Sequence, residues 1–310
     1  MRIVRLSDSV PAPVLVADSA PEPRPGKYEL LIRVCAAGIT PTELAWYPTS
    51  HTRSGGKRTG AIPGHEFSGV VAALGDGVGS LELGREVFGM NDWFSDGAVA
   101  EYCVAPFFAV APKPARLTHA EAASVPISAL TAWQGLLDRA KIQPGERVLI
   151  HGGAGAVGCF AVQLARLHGT HVIATASGAN ASFVKDLGAE QVIDYRAARF
   201  EPSVADVDVV FDTVGGDVMR RSWSVLKPHG RMVTIAASEE GTADARTREA
   251  FFIVEPNHRQ LSIVAELLES KKLRAVVDTA IPLERAQEAY AGKMTGHHRG
   301  KVVVTIAGTN

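Results

Sequence analysis

A glycine-rich stretch between an apolar strand and an amphipathic helix gives the clearest chemical signal in this sequence. It reads His151-Gly-Gly-Ala-Gly-Ala-Val-Gly158, follows the apolar residues 147–150, and precedes apolar residues at helical spacing in 159–168. Glycines let a backbone approach phosphate closely, and the free N–H groups at a helix start point at its negative charge. Strand, glycine turn and helix in this order therefore predict a site for the pyrophosphate of a dinucleotide.

The residues after the next predicted strand, 171–176, bear on which dinucleotide binds. A site for NAD usually carries an acid about 20 residues past the glycine turn, where it accepts from the ribose hydroxyls. Here the strand ends in Ser177 without an acid, and Asn180 and Tyr195 offer further polar groups. We therefore predict NADPH, with positive charge supplied by one of Lys185, Arg196 and Arg299. The alternative is that Ser177 and Tyr195 are ordinary residues at loop ends.

The elements that must position these residues change character near residue 118. The first 117 residues contain short apolar segments punctuated by Pro and Gly, which indicates an irregular β unit. From Thr118, which forms a predicted capping box with Glu121, strands and helices alternate, and this order predicts a doubly wound parallel sheet. Its strands are expected at 148–151, 171–176, 191–195, 207–214 and 230–237.

The end of the chain returns to strand-like sequence. Helices are expected at 260–270 and near 284–291, with strands at 276–281 and 301–306. A last strand so far from the parallel region is expected to rejoin the N-terminal β unit. We therefore predict a discontinuous first domain, 1–117 completed by 255–310, with a nucleotide domain at 118–254 inserted between its parts.

Composition restricts the possible partners and the compartment. The 310 residues are 46% hydrophobic and carry a net charge of −1, which gives no electrostatic case for nucleic acid or an anionic membrane. No apolar run approaches the ~20 residues of a membrane helix. The three cysteines, Cys35, Cys103 and Cys159, are widely spaced and odd in number, which argues against a disulfide framework. We expect a cytoplasmic protein that acts on a small molecule.

With these features in view, the sequence resembles the medium-chain dehydrogenases/reductases, in the zinc-free branch typified by NADPH:quinone oxidoreductases. The resemblance rests on motifs spread over nearly the whole chain: Pro63-Gly-His-Glu-Phe-Ser-Gly-Val-Val71, Asp96-Gly-Ala-Val-Ala-Glu-Tyr102, the glycine turn, and Val207-Asp-Val-Val-Phe-Asp-Thr-Val-Gly-Gly216. It implies a Rossmann-type α/β domain inserted into a GroES-like, partly open β-barrel, with the cofactor in the cleft between them. It also implies a homodimer formed through the nucleotide-domain sheet.

The resemblance further implies roles for matching positions. Gly153, Gly155, Ala156, Val157 and Gly158 would form the pyrophosphate turn, and Val214 would line the adenosine side. Thr131 would face the nicotinamide from the domain junction. The nicotinamide half would be flanked by Ile235, Ala236, Phe252, Ile253 and Val254. Around the 2′-phosphate, many quinone reductases carry lysine where this chain has Asn180, so the site has one positive charge fewer.

The zinc-dependent relatives suggest where a metal would be held. Their zinc is bound by a Cys shortly before a His-Glu pair, by that His, and by a Cys or Asp further on, with a fourth position open. Here His65-Glu66 is present, but Ile39 and Thr40 stand where the first Cys would fall, and residues 125–130 offer no thiolate. We therefore predict no metal and interpret His65 as a hydrogen-bonded turn residue.

These features favour hydride transfer from NADPH to a quinone or an α,β-unsaturated carbonyl. Thr40, Tyr47 and Thr131 are the candidate catalytic residues, and Thr42, Asn91 and Trp93 are further candidates for the pocket wall. Tyr47 is equally interpretable as a packing aromatic, and 91–94 as a surface loop. Two other functions stay open: a zinc alcohol dehydrogenase with unrecognised ligands, and a non-catalytic NADPH-binding redox sensor.

Overall fold

The computed structural model describes residues 1–7, 14–79, 81–292 and 298–306. Fourteen strands lie in these ranges: β1 Arg2–Leu6, β2 Leu15–Ser19, β3 Glu29–Gly38, β4 Glu66–Leu74, β5 Glu86–Met90, β6 Tyr102–Pro106, β7 Val110–Pro112, β8 Arg147–Ile150, β9 His171–Ala176, β10 Gln191–Asp194, β11 Val207–Asp212, β12 Leu226–Thr234, β13 Val277–Pro282 and β14 Lys301–Thr305.

Nine α-helices accompany them in the same ranges: α1 Tyr47–Ser50, α2 His119–Ala123, α3 Pro126–Trp133, α4 Ala156–Leu167, α5 Ala181–Asp186, α6 Gly216–Ser222, α7 Ala245–Ala250, α8 His258–Glu269 and α9 Ala286–Tyr290. α3 continues into a π-helical turn, Gln134–Arg139. Thr118 caps α2 in the capping box predicted with Glu121. None of the helices described is both long enough and apolar enough to span a bilayer.

A parallel sheet of five strands, in the order β10-β9-β8-β11-β12, forms the nucleotide-binding half of the fold. Every pairing along it is parallel, which confirms the doubly wound arrangement predicted from the alternating strands and helices. Its central strand, Arg147–Ile150, is apolar and buried because helices cover both faces of such a sheet. The carboxyl ends of all five strands consequently meet along one edge.

The fifth strand of this sheet begins earlier than predicted. The strand was expected from residue 230, whereas α6 ends at Ser222 and β12 already starts at Leu226. Pro228 cannot donate to a helix and biases the preceding residue towards an extended backbone. The Nζ atom of Lys227 also donates to Asp208 of β11 at 2.8 Å. Both effects favour an extended backbone before residue 230, so β12 begins at Leu226.

A second sheet of seven strands joins β3 to β7 with the end of the chain, whereas β1 and β2 pair separately with each other. Its order is β13-β14-β3-β4-β5-β7. β6 lies outside this order and pairs with the first half of β3, residues 29–33. β14 runs antiparallel to β3 and places Val303 opposite Gly38. The predicted return of the last strand to the N-terminal β unit is therefore confirmed. This pairing brings the residues that precede β14 against the glycine turn, where the Gly300 N–H donates to the Ala154 carbonyl at 2.8 Å.

Candidate active site

The glycine turn joins β8 to the first turn of α4. Gly155 occupies the N-cap position of this 12-residue helix without a side-chain cap, so the first N–H groups of the helix have no acceptor within it. Gly158 packs so closely that a Cβ atom there would lie 2.0 Å from the Gly152 carbonyl oxygen. Gly152 itself has a φ of +75°, which favours glycine. The turn thus presents backbone donors in a cradle that side chains would fill, and it fits a pyrophosphate.

Beside this turn lies a cavity of about 420 Å³ at the carboxyl ends of β8 to β10. Three of the residues predicted around the 2′-phosphate line it, namely Ser177, Asn180 and Tyr195, and so do Arg196 and Arg299. The structure therefore brings together, from the ends of β9 and β10 and from the tail, the polar groups predicted from the sequence. Lys185, the third candidate cation, is on the exposed side of α5 and is not among the residues that line this cavity.

Arg299 is fixed at the cavity by the residues next to Ser177. Its Nε donates to the Asn180 side-chain oxygen at 2.7 Å, and one terminal nitrogen donates to the Ala179 carbonyl at 3.1 Å. Its guanidinium also stacks over Phe183, 4.9 Å from the ring centroid. The oxygen of Asn180 thus positions a cation, a role that the sequence did not indicate.

One carboxylate lies near the same strand ends. Asp194 closes β10, and its Oδ1 accepts from the Arg196 N–H at 2.9 Å. A Cβ atom at Gly178 would lie 2.5 Å from the Asp194 carboxylate, so this acid is packed against the turn after Ser177. Asp194 is not among the residues lining the cavity, whereas the two arginines are. The charge that faces the cavity is therefore positive.

A larger cavity of about 620 Å³ adjoins the first and shares Gly152, Tyr195 and Arg196 with it. Val214, which was predicted for the adenosine side, lines this cavity. The ring of Phe200 and the guanidinium of Arg221 form further parts of its wall. Its floor includes His151, which is fully buried and whose Nε2 lies 2.8 Å from the Ser222 hydroxyl. Burial lowers the pKa of His151 from 6.5 to about 4, so the ring is neutral near pH 7.

The residues predicted for the nicotinamide half differ in the direction of their side chains. Ile235 and Ala236 directly follow β12 at the carboxyl edge of the sheet. Ile253 is 54% exposed, whereas Phe252 and Val254 are 4% and 7% exposed and belong to the core. Side chains along an extended segment point alternately to opposite sides, so only Ile253 of these three projects outward. Phe252 and Val254 would contribute backbone atoms.

On the barrel side of the fold, Glu66 and Lys301 form a buried ion pair. Both side chains are at most 4% exposed, and Lys301 also donates to the Thr40 hydroxyl at 3.1 Å. The other oxygen of Glu66 accepts from the Ile127 N–H at 2.9 Å, in the first turn of α3. Burial raises the pKa of Glu66, and the charge of Lys301 opposes that rise. The pair therefore connects the barrel, the tail strand and α3.

A second buried group of ionisable residues surrounds Glu43. Its Oε2 lies 2.7 Å from His65 Nδ1 and accepts from the Gly64 N–H at 3.0 Å, while the Tyr290 hydroxyl donates to its Oε1. Burial, followed by the charge of Glu43, raises the pKa of Tyr290 well above its usual value. His65 is therefore held through one nitrogen by a carboxylate that is itself fixed on both oxygens.

The three predicted catalytic residues lie in different settings. Thr131 is 4% exposed on α3, and its hydroxyl donates to the Ile127 carbonyl at 2.6 Å. Thr40 accepts from Lys301, as described above. Tyr47 is 52% exposed and stacks on His51 with ring centroids 4.2 Å apart, so the structure does not bring it to the Glu43 group. Thr42 is also exposed.

Trp93, one of the residues predicted for the pocket wall, packs against a second tryptophan. Trp46 and Trp93 meet edge to face at 5.3 Å, and the His65 ring lies 5.4 Å from Trp93. Asn91 is instead fully buried, and its amide donates to the Val104 carbonyl at 2.8 Å, so it ties two strands together. Asn91 is therefore part of the core and Trp93 part of the surface around His65.

Comparison with known proteins agrees with this architecture. Residues 26–115 match the family model described as the alcohol dehydrogenase GroES-like domain, and residues 187–304 match that described as zinc-binding dehydrogenase. A probable zinc-binding oxidoreductase, mitochondrial, from Arthroderma benhamiae is 32% identical over 97% of this chain and 96% of its own. The chloroplastic quinone-oxidoreductase QR1 from Triphysaria versicolor is 33% identical over 92% of each. The structure of a quinone oxidoreductase from Coxiella burnetii is 33% identical and superposes with a TM-score of 0.88 over 98% of this chain and 99% of that one.

These similarities define the class of protein. The chain belongs to the medium-chain dehydrogenase/reductase superfamily, in its quinone-oxidoreductase-like branch, with a GroES-like domain and a Rossmann-type sheet. It is accordingly an oxidoreductase whose dinucleotide site serves a nicotinamide cofactor, and the glycine turn and its neighbouring cavities fit such a group.

Zinc, which the name of one matched family model implies, does not fit the donors around His65. A catalytic zinc needs three protein ligands. Both oxygens of Glu43 are already occupied by hydrogen-bond donors, Glu66 is paired with Lys301, and Thr40 stands where the first thiolate would be. Within the described ranges, no group of three His, Cys, Asp or Glu side chains is placed to hold a metal ion.

Proposed function

We propose that this chain reduces quinones and α,β-unsaturated carbonyls with NADPH and without a metal ion. The observation that carries the cofactor choice is the cavity around Ser177, whose lining includes Arg196 and Arg299 and no carboxylate from the described residues. A 2′-phosphate carries negative charge and takes charge-assisted hydrogen bonds from guanidinium groups. The ribose 2′-hydroxyl of NADH offers no such charge.

The chain's own residues would divide the work along the cleft. Ser177, Tyr195 and Arg299 would hold the 2′-phosphate, with Asn180 positioning Arg299. The N–H groups of Ala156 and Val157 would hold the pyrophosphate at the start of α4. When bound, reduced nicotinamide supplies a hydride to an electron-poor carbon of the acceptor.

The barrel residues would act on the acceptor. Lys301 donates to the Thr40 hydroxyl, which leaves the hydrogen of that hydroxyl available for an acceptor oxygen. Trp46 and Trp93 offer an aromatic wall for a flat ring. Quinones and enones are already polarised, so they need positioning and a few hydrogen-bond donors rather than a Lewis acid.

Ser177→Asp tests the cofactor assignment. A carboxylate beside the phosphate site should repel the 2′-phosphate and accept from the ribose hydroxyls, so the ratio of NADPH to NADH affinity should fall at least tenfold, about 1.4 kcal/mol. The dissociation constants of both cofactors would be measured by titration. Ser270→Asp, at an exposed serine after α8, is the matched control. An unchanged ratio in Ser177→Asp would refute the placement.

A panel of 1,4-quinones and enones tests the reaction. Turnover of at least one class with NADPH is expected, with protein from which metal has been removed by chelation. Tight NADPH binding without turnover of any acceptor would favour the non-catalytic sensor instead. Activity that disappears on chelation and returns with zinc would favour the alcohol dehydrogenase.

Three further features belong to this proposal. The domain bounds would be 1–117, 118–254 and 255–310, as expected from the sequence. Two copies would form a homodimer through the nucleotide-domain sheet, which mass measurement in solution would test. The compartment would be the cytoplasm, an assignment supported by three free cysteines that are all buried.

A further inference from the structure

His65 presents an imidazole nitrogen that the described structure leaves unused. The side chain is 3% exposed, Nδ1 faces Glu43, and Nε2 on the other side of the ring has no hydrogen-bond partner among the described residues. A buried polar atom without a partner is costly, and native proteins retain few of them. We propose that His65 is the acid that donates a proton to the reduced acceptor, with Glu43 and Tyr290 as positioning residues; this inference rests on the proposed function.

The hydrogen bonds around Glu43 determine which nitrogen is free. An ionised carboxylate only accepts, so Nδ1 carries a proton and donates it to Glu43. Tyr290 and the Gly64 N–H hold the same carboxylate from two further directions. The ring can therefore neither flip nor turn without breaking a buried contact, and Nε2 keeps a fixed place.

Four ionisable side chains, His65, Glu43, Glu66 and Lys301, share this buried cluster. Glu43 repels Glu66 across the buried cluster, where Lys301 supplies one positive charge against two carboxylates. Burying an uncompensated charge is unfavourable, and an imidazolium at His65 brings the sum of the four groups to zero. Tyr290, the remaining titratable group in contact, stays neutral because burial raises its pKa.

The location suits an acceptor at the domain junction. Glu66, the next residue after His65, accepts from Ile127 in the first turn of α3, and Thr131 follows one turn later on that helix. The Thr40 hydroxyl belongs to the same cluster through Lys301. Trp93 lies beside the imidazole and is only half-buried, so an acceptor that displaces this indole would gain access to the His65 ring.

The proton balance of the reaction is simple. An enone gains a hydride, which is two electrons and a proton, at its β-carbon and becomes an enolate. The Nε2–H bond of the imidazolium breaks, the proton goes to the enolate, and a neutral imidazole remains with its Nδ1–H on Glu43. Solvent returns a proton to Nε2 when product leaves. A quinone takes up a hydride and one proton in the same way.

His65→Gln tests the inference, since it keeps an amide donor but cannot deliver a proton. We expect kcat for an enone to fall about 100-fold, a typical contribution of general acid catalysis. The loss should be smaller for a quinone, because its hydroquinone anion is more stable than an enolate. In the wild type, kcat/KM for the enone should fall as pH rises, because a general acid must carry its proton to act. This fall, the alkaline limb of the pH profile (called the pH limb below), should be absent in His65→Gln.

The matched control is His171→Gln. His171 forms a pair with Glu190 at 3.0 Å, similar in type to the His65–Glu43 pair, but both side chains are more than 40% exposed. This variant should keep the rate and the pH profile of the wild type. If His65→Gln also keeps both while acceptors are still reduced, the inference is overturned and the proposed function stands.

A binding measurement tests, without turnover, whether His65 faces the oxyanion of a reduced acceptor. p-Nitrophenolate imitates the oxyanion of a half-reduced acceptor, and it would be titrated by absorbance into protein loaded with NADP⁺. Wild-type protein should bind it about tenfold more tightly than His65→Gln. Equal affinities overturn the role of His65. If no acceptor is turned over, the proposed function fails, and this comparison still tests whether His65 faces an oxyanion.

Glu43→Gln and Tyr290→Phe separate positioning from catalysis. Both leave His65 in place, so the pH limb should persist, with a position moved by the change in the group facing Nδ1. In each variant kcat should fall by less than in His65→Gln, and combining Glu43→Gln with His65→Gln should add little. Loss of the limb in Tyr290→Phe, with stability unchanged, would contradict a purely positioning role.

Discussion

The two ends of the proposed cleft are built in different ways. At the adenosine end, the glycine turn, Ser177 and Tyr195 each directly follow a strand of one parallel sheet, so local sequence places them. At the barrel end, Glu43 meets Tyr290 across 247 residues and Glu66 meets Lys301 across 235. The first end uses backbone donors and arginines that line a solvent-facing cavity, whereas the second end uses fully buried charges. Their sensitivity to substitution should therefore differ.

Lys301→Met should give the largest effect and would test the barrel end. Removal of the ammonium leaves the Glu66 carboxylate buried without its counter-charge, which costs about 3–5 kcal/mol of unfolding free energy. Urea denaturation measures the loss. The double variant Glu66→Gln/Lys301→Met should recover most of it, because no unpaired charge remains.

Arg166→Met is the comparison for Lys301→Met at an exposed pair. Arg166 and Glu190 are 58% and 44% exposed, and such pairs contribute about 1 kcal/mol or less. A loss of similar size in Lys301→Met would mean that water screens the buried pair, and the contrast between the two ends would disappear.

The pH dependence of stability provides a second test, at the nucleotide end. The pKa of His151 is lowered from 6.5 to about 4 by burial, so between these pH values the unfolded chain binds a proton that the folded chain does not. This contribution to stability is complete above pH 6.5 and is lost as pH falls towards 4. It amounts to about 3 kcal/mol.

Denaturation of wild type and His151→Gln at pH 7 and pH 4.5 would measure this contribution. Gln retains a hydrogen-bond partner for Ser222 but does not titrate. The wild type should lose more stability than the variant between the two pH values. Parallel losses would show that the imidazole is accessible to protons in the folded state.

The sequence predicts the nucleotide end better than the barrel end for a physical reason. Periodicity and turn residues report on neighbours in the chain, so the strand order and Ser177 could be inferred from them. The pairing of Glu66 with Lys301 depends on β14 lying beside β3. The residues near Glu66 in the sequence do not predict this pairing. The motif containing His65 indicated a possible zinc ligand. It did not predict that the Glu43 carboxylate lies against the imidazole.

Side-chain direction was a further gap in what the sequence could predict. Phe252, Ile253 and Val254 form one apolar run, and the resemblance assigns all three to the same role. The structure turns Phe252 and Val254 into the core, because the extended segment after α7 alternates. The β12 start at Leu226 likewise depends in part on cross-strand contacts with Val207 and Asp208, which the sequence pattern does not contain.

Arg299→Gln should give the smallest effect and would sharpen the comparison at the nucleotide end. Glutamine removes the charge that faces the cavity but retains a polar side chain near Asn180. NADPH affinity should fall about tenfold, or 1.4 kcal/mol, while NADH affinity stays unchanged. Lys185→Gln is the matched control, since that lysine does not line the cavity. Equal losses in the two variants would mean that diffuse positive potential, and not a fixed guanidinium, selects the cofactor, and the nucleotide end would then owe its specificity to net charge alone.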